Sequence, residues 1–269
     1  MSTLPQIKSL LSSDAVKHRF TEILGNKSIG FISSVLNVVS NNKLLQEAEP
    51  SSIMMSAAIA ATLDLPINPS LGFAAIVPYR EKGVAIAQFQ IMWRGLVQLA
   101  QRSGQYKTIH TTEVYEGEIK FYNKFTGEID FDGSKKSSDK VIGYVAYFRL
   151  ITGFEKYYYM TSEEAMTHAK KYSKSFQKGN GKWVDDFDAM AKKTVLKLLL
   201  SKYGIMSVDM QNAVRFDQSH IKGDINNIEE AEAVYVDNEH VEDMDQTSIE
   251  DKKENLKLKK STQTETQMP

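Results

Sequence analysis

Apolar residues recur every three to four positions through the first third of the chain, a period that predicts helices. Val16, Phe20, Ile23 and Leu24 mark one face of residues 13–24, and Gly25 ends that helix. Ile29, Ile32, Leu36 and Val39 continue the pattern over 28–40. Pro50 opens a third helix reaching Leu63, because a proline in the first turn gives up no hydrogen bond. Alanines and methionines fill this helix, which predicts close packing against its neighbours.

The segment LPINPSLG (65–72) breaks the pattern, and the period then falls to two. Strands are predicted over 72–79 and 84–90, joined through Arg80-Glu81-Lys82-Gly83. A helix over 92–103 closes at Gly104. Further strands follow over 106–115, 118–123 and 128–132, with Thr126-Gly127 at the turn between the last two. Residues 141–151 are apolar on both faces, as a central strand requires. Strand 154–160 turns back through Thr152-Gly153. Thr161 and Glu164 form a capping-box pair that starts the next helix. A loop over 173–182 precedes a long helix over 184–203, and a short helix near 207–215 ends the apolar pattern. Asp185, Asp186 and Asp188 suit the positive end of the long helix. The fold class is α+β: N-terminal helices, a small mostly antiparallel sheet packed on helices, a long basic C-terminal helix and an acidic tail. The domain reading is 1–215 for the body and 216–269 for a largely disordered tail, within which 225–236 reads as a transient helix or strand.

Composition narrows the chemistry. The 269 residues contain no cysteine, which excludes disulfides, thiolate zinc sites and a cysteine nucleophile. The first twenty residues lack the pattern of a secretory signal, and no apolar run approaches the ~18 residues of a membrane span. The net charge of −1 conceals an asymmetry: residues 1–215 carry +7 and residues 216–269 carry −8. A basic body points to a polyanion partner. No P-loop, dinucleotide fingerprint, H-E-x-x-H or nucleophile elbow is present.

Two carboxylate patterns invite a metal. Glu118-Ile119-Lys120 resembles half of a metal-dependent nuclease site, but no upstream Asp completes it, and a solvated strand face is the ordinary alternative. The Asp185, Asp186 and Asp188 group is ordinarily a helix start.

Cations and aromatics, by contrast, cluster. Arg94 and Arg102 share the 92–103 helix with Trp93, and Lys107 follows. Lys170, Lys171 and Lys174 surround the end of the 161–172 helix, interleaved with Tyr172 and Phe176; Lys178, Lys182 and Trp183 continue the run. Lys193 and Lys197 lie ~40° apart on the long helix. Lysines and arginines neutralise phosphates, and aromatic rings stack on any base. Core packing is the ordinary reading of Trp93, Trp183 and Phe187 taken singly, and a solvated helix face that of the lysines.

Several segments resemble the RecT family of phage single-strand annealing proteins. These are LPINPSLGFAAIVPY (65–79), WRGLVQLAQRSGQ (93–105), VYEGE (114–118), VIGYVAYFRL (141–150) and the Trp183…DAMAKKTVLKLLL stretch (183–200). Together they span roughly 50–215, in order. The resemblance implies an α+β fold and ATP-independent binding and annealing of single-stranded DNA, with the duplex product retained. It implies a homo-oligomeric ring or filament, a 5′→3′ exonuclease partner from the same phage, no required cofactor and no membrane. It places the protein in the cytoplasm of a bacterial host. The DNA-binding role passes to Arg94, Arg102, Lys193 and Lys197. Lys107, Lys170, Lys171, Tyr172, Lys174, Lys178 and Trp183 join them on charge and position. On this reading Lys193→Glu weakens DNA binding without unfolding the chain, and oligomer contacts come from the N-terminal helices and the sheet. The alternatives are a metal-dependent nuclease using Glu118 and Lys120, and a single-strand binding or structural protein without annealing activity.

Overall fold

A computed structural model describes residues 3–235 apart from Lys82 and Asn226. Helices α1 (Leu4–Ser12), α2 (Asp14–Leu24), α3 (Ser28–Ser40) and α4 (Pro50–Thr62) come first. Strands β1 (Ala74–Glu81) and β2 (Val84–Ile91) precede α5 (Trp93–Arg102). Then come β3 (Tyr106–Tyr115), β4 (Ile119–Asn123), β5 (Glu128–Phe131), β6 (Val141–Leu150) and β7 (Glu155–Thr161). The chain continues through α6 (Ser162–Tyr172), α7 (Lys174–Gln177), α8 (Lys182–Asp185), α9 (Phe187–Tyr203) and α10 (Val208–Phe216). Strands β8 (Ser219–Lys222) and β9 (Glu232–Tyr235) complete the described elements. The fold class is α+β, as the residue pattern predicts.

Helix α4 packs between α2 and the strands β1, β2 and β8, and is buried from Ser52 through Ala61. Small side chains let α4 lie flat on β2, and Ser52 Oγ accepts the Ala87 N–H at 2.8 Å inside that contact. The apolar character of α4 on every face is therefore satisfied within one protomer, which leaves it no part in oligomer contacts. Residues 14–40 together have the length and apolarity of a membrane span. They do not form one rod, because a 3-10 turn at Gly25–Lys27 divides them and α2 packs on both α3 and α4.

The described strands form three antiparallel sheets. The first runs β1-β2-β8-β9, the second β3-β6-β7, and β4 pairs with β5 alone. As predicted, β6 is central in its sheet. Its residues Tyr144, Ala146, Phe148 and Leu150 are buried, and α9 packs on this sheet. Tyr122 and Phe131 of the β4–β5 hairpin meet Tyr159 and Tyr157 of β7. Thr161 caps α6 as expected: its Oγ1 accepts the Glu164 N–H at 3.1 Å, and Glu164 Oε2 accepts the Thr161 N–H at 2.8 Å.

The structure adds to the sequence reading at one point and corrects it at two. Leu4–Ser12 is helical, although nine residues are too few for periodicity to declare. The long helix starts at Phe187, because Asp186 breaks the backbone after α8 and caps α9 through the Ala189 N–H. Most consequentially, the body does not end at 215. Strands β8 and β9 join the first sheet, where Phe89 of β2 pairs with Ser219. Four-residue strands in a polar stretch carry too little alternation to stand out. Residues 1–235 then carry a net charge of +3 rather than +7. The remainder of the tail reading, 236–269, lies outside the described residues.

Candidate nucleic-acid interface

The path begins where β2 hands over to α5. Gly95, in the first turn, has no room for a side chain: a Cβ there would lie 2.2 Å from the Phe73 carbonyl oxygen. This close approach seats α5 on the start of β1 and leaves Trp93 and Arg94 outside its buried arc of Gly95, Leu96, Leu99 and Ala100. Arg94 Nη1 donates to the Leu71 carbonyl at 3.2 Å, and its guanidinium lies 5.5 Å from the Trp93 ring centroid. Gly95→Ala should destabilise the protein by about 1–3 kcal/mol, measured by urea unfolding, because the obstruction is backbone that cannot rotate away.

Next to this corner the Ile91 N–H donates to Asp217 Oδ1 at 3.1 Å. Asp217 is fully buried between α10 and β8, and two lysines of α9 converge on it. Lys197 Nζ lies 2.6 Å from Oδ2 and Lys193 Nζ 3.4 Å from Oδ1. Burial pushes the Asp217 carboxyl up, but the two ammonium charges outweigh it and hold the group below the usual carboxylate range. Burial also draws Lys193 down; Asp217 opposes this and Lys197 adds to it.

Beyond Lys197 the path reaches α6. Burial first, then the charges of Lys197 and Lys171, pull the His168 imidazole down to about 4. Its ring sits 4.5 Å from Tyr172, and Lys171 Nζ stands 5.0 Å over the Tyr172 ring. A neutral histidine here has a stability consequence. Its folded value lies below the ordinary 6.5, so the native state resists protonation. The stabilisation is complete above pH 6.5 and declines as pH falls through 4, by about 3 kcal/mol at most. Urea titrations at pH 7 and pH 4 should show this loss in the wild type and a smaller one in His168→Phe.

The residues singled out from sequence divide accordingly. Arg94, Lys197, Lys171 and Tyr172 fall on one connected path. Lys170 and Lys178 are exposed and Lys174 half-buried on the adjoining α6 end and α7, and Lys107 is exposed on β3. Arg102 has a structural task the motif did not suggest. Its guanidinium donates to the Leu63 carbonyl at 2.6 Å and the Asp64 carbonyl at 2.7 Å, closing the end of α4 where Asp64 takes φ 46°.

Two assignments are corrected. Lys193 is not at the surface: only 5% of it is exposed, and Asp217 occupies its ammonium. Trp183 is 6% exposed and packs among His168, Phe176 and Phe187. Helical spacing alone places Lys193 beside Lys197 but does not show that both converge on Asp217 or that Lys193 is the more deeply covered. Trp93, read singly as core, is the more exposed tryptophan.

The carboxylate patterns find other partners. Glu118 Oε2 accepts the Tyr115 N–H at 2.7 Å, and Lys120 Nζ lies 3.5 Å from Asp132. Asp186 caps α9, Asp188 accepts the Tyr144 hydroxyl proton at 2.5 Å, and Asp185 faces Lys182. Among the described residues no three His, Asp or Glu side chains are grouped to hold a metal.

Comparison with known proteins decides the family. The model of the RecT family matches residues 30–234, which includes β8 and most of β9. The chain belongs to the RecT family. It is 48% identical over 222 residues to the uncharacterized protein YqaK of Bacillus subtilis (strain 168), an alignment covering 82% of this chain and 75% of that one. It is 29% identical over 184 residues to protein RecT of Escherichia coli (strain K12), covering 65% of each chain. RecT-family membership supports a single-strand annealing role in DNA recombination.

Proposed function

We propose that this RecT-family protein binds single-stranded DNA along the path from Trp93 and Arg94 to α6 and α7, and pairs it with a complementary strand without ATP. The observation that carries this reading is the set of cations and aromatics at the two ends of the Asp217 junction: exposed Trp93 and Arg94 at one, and Lys171–Tyr172 with Lys170, Lys174 and Lys178 at the other, while Asp217 holds Lys197 between them. Separated by helices and strands in sequence, the two ends are linked through that junction: the Ile91 N–H and Lys197 share Asp217, and the Lys197 charge reaches His168 beside Tyr172. Annealing breaks no covalent bond, so it needs phosphate repulsion removed and base edges left accessible. Cations spaced along a strand meet the first need, and aromatic faces meet the second.

A ring or filament of copies would extend the path from one protomer to the next, and a 5′→3′ exonuclease of the same phage would supply the single strands. Such a protein acts in the bacterial cytoplasm.

The test is pairing of two complementary labelled oligonucleotides by full-length protein, with chelator and without ATP. Pairing faster than the protein-free control, with duplex retained on the protein, is the expected result. Binding without acceleration would leave a single-strand binding protein. Loss of labelled DNA on adding magnesium would revive the nuclease reading.

A further inference from the structure

The chain has two tryptophans, and the fold treats them oppositely. Trp183 is enclosed by aromatic neighbours, whereas 44% of Trp93 is exposed. A single exposed aromatic is ordinary by itself. Trp93 differs in its company. The Arg94 guanidinium stands over one face of the ring, 5.5 Å from its centroid, anchored by one hydrogen bond to Leu71 and retaining further N–H donors, and the opposite face is left to a base. Both residues occupy the first turn of a ten-residue helix that has no side-chain cap, so its positive end adds to the arginine's charge. Leu71, also partly exposed, lies on the loop that Arg94 contacts. Gly95 fixes the whole corner against Phe73.

A nucleotide makes two demands a few ångströms apart: a flat surface for its base and positive charge for its phosphate. Trp93 and Arg94 supply one each. Resting on the single-stranded DNA reading above, we infer that Trp93 is a base-stacking platform, with Arg94 as the adjoining phosphate ligand. Stacking engages the face of a base and leaves its pairing edge free. It is also indifferent to sequence, because every base has a π-face. An annealing protein requires both properties. Lysines alone would hold the backbone without controlling how the bases are presented.

The two-tryptophan composition makes the inference directly observable. Intrinsic emission excited at 295 nm should be quenched when oligo(dT) is added to the wild type. Binding is followed separately by anisotropy of a labelled oligo(dT). Trp93→Phe should still bind but lose the quenching, because only the enclosed Trp183 remains to emit. Trp93→Ala should bind roughly 5- to 150-fold more weakly, the loss of one base–aromatic stack. An oligonucleotide of abasic sites should bind the wild type without quenching. Undiminished quenching in Trp93→Phe, or wild-type affinity in Trp93→Ala, would overturn the assignment while leaving DNA binding intact. No anisotropy change with wild-type protein would remove the DNA reading itself, and this role for Trp93 with it.

Discussion

Replacing Asp217 with alanine will destabilise the protein by about 3–5 kcal/mol, a large share of the stability of an ordinary domain. The substitution leaves the Lys193 ammonium buried with no counter-charge and Lys197 repelling it from the next turn. It also leaves the Ile91 N–H without its acceptor. Lys193→Glu will be at least as damaging, since it sets a second carboxylate against Asp217 in a buried site. This reverses the expectation drawn from sequence, that Lys193→Glu would spare the fold and weaken DNA binding alone. Lys193→Met with Asp217→Leu should recover much of the loss, because a buried pair exchanged for apolar residues is often near neutral. Urea unfolding of the three variants measures this. A Lys193→Glu protein with wild-type stability would contradict the buried pairing.

Substituting Lys170, Lys174 and Lys178 together with alanine should leave stability nearly unchanged and reduce DNA affinity roughly a hundredfold at 0.1 M salt. Each phosphate contact by a single strand contributes about 0.7 to the slope of log affinity against log salt. Three lost contacts lower that slope by about 2. Titrations of labelled oligo(dT) from 50 to 300 mM salt provide the slope. An unchanged slope would place these lysines off the DNA path, whatever the absolute affinity. The pair of experiments separates α9 from α6–α7. The lysines of α9 that converge on Asp217 should report chiefly in unfolding, those of α6–α7 in salt dependence.

Much of this architecture could be read from residue pattern. A three-to-four-residue period places α2 and α3, Pro50 opens α4, the fall to a period of two marks most of the strands, a run apolar on both faces marks β6, and the Thr161–Glu164 pair marks the start of α6. The failures share a physical cause. Periodicity reports which face of an element is apolar, not which partner covers it. Lys193 and Lys197 read alike on a helical wheel, and only tertiary packing makes Lys193 internal, although both meet Asp217. Trp93 and Trp183 likewise differ through tertiary surroundings: Gly95 against Phe73 in one case, three aromatic rings in the other. Arg102 lies in a motif read as DNA-binding, yet the carbonyls it binds, those of Leu63 and Asp64 just past the end of α4, lie 39 and 38 residues earlier. Strand β8 is too short and polar to declare itself, and 225–236, which holds β9, reads only as a transient helix or strand, before β2 is available to receive them.

That last dependence has a consequence during synthesis. The first sheet takes β1 and β2 from one part of the chain and β8 and β9 from roughly 130 residues later. At about 5–20 residues per second, a ribosome needs about 6–26 s to travel between them. Throughout that interval the β2 edge that will receive Ser219 has no strand beside it, and Asp217 is not yet there for the Ile91 N–H. The nascent chain therefore carries an open, apolar edge while α4 is already able to dock on its face. Chains ending before Asp217 should remain in that condition permanently and depend on chaperones to stay out of aggregates.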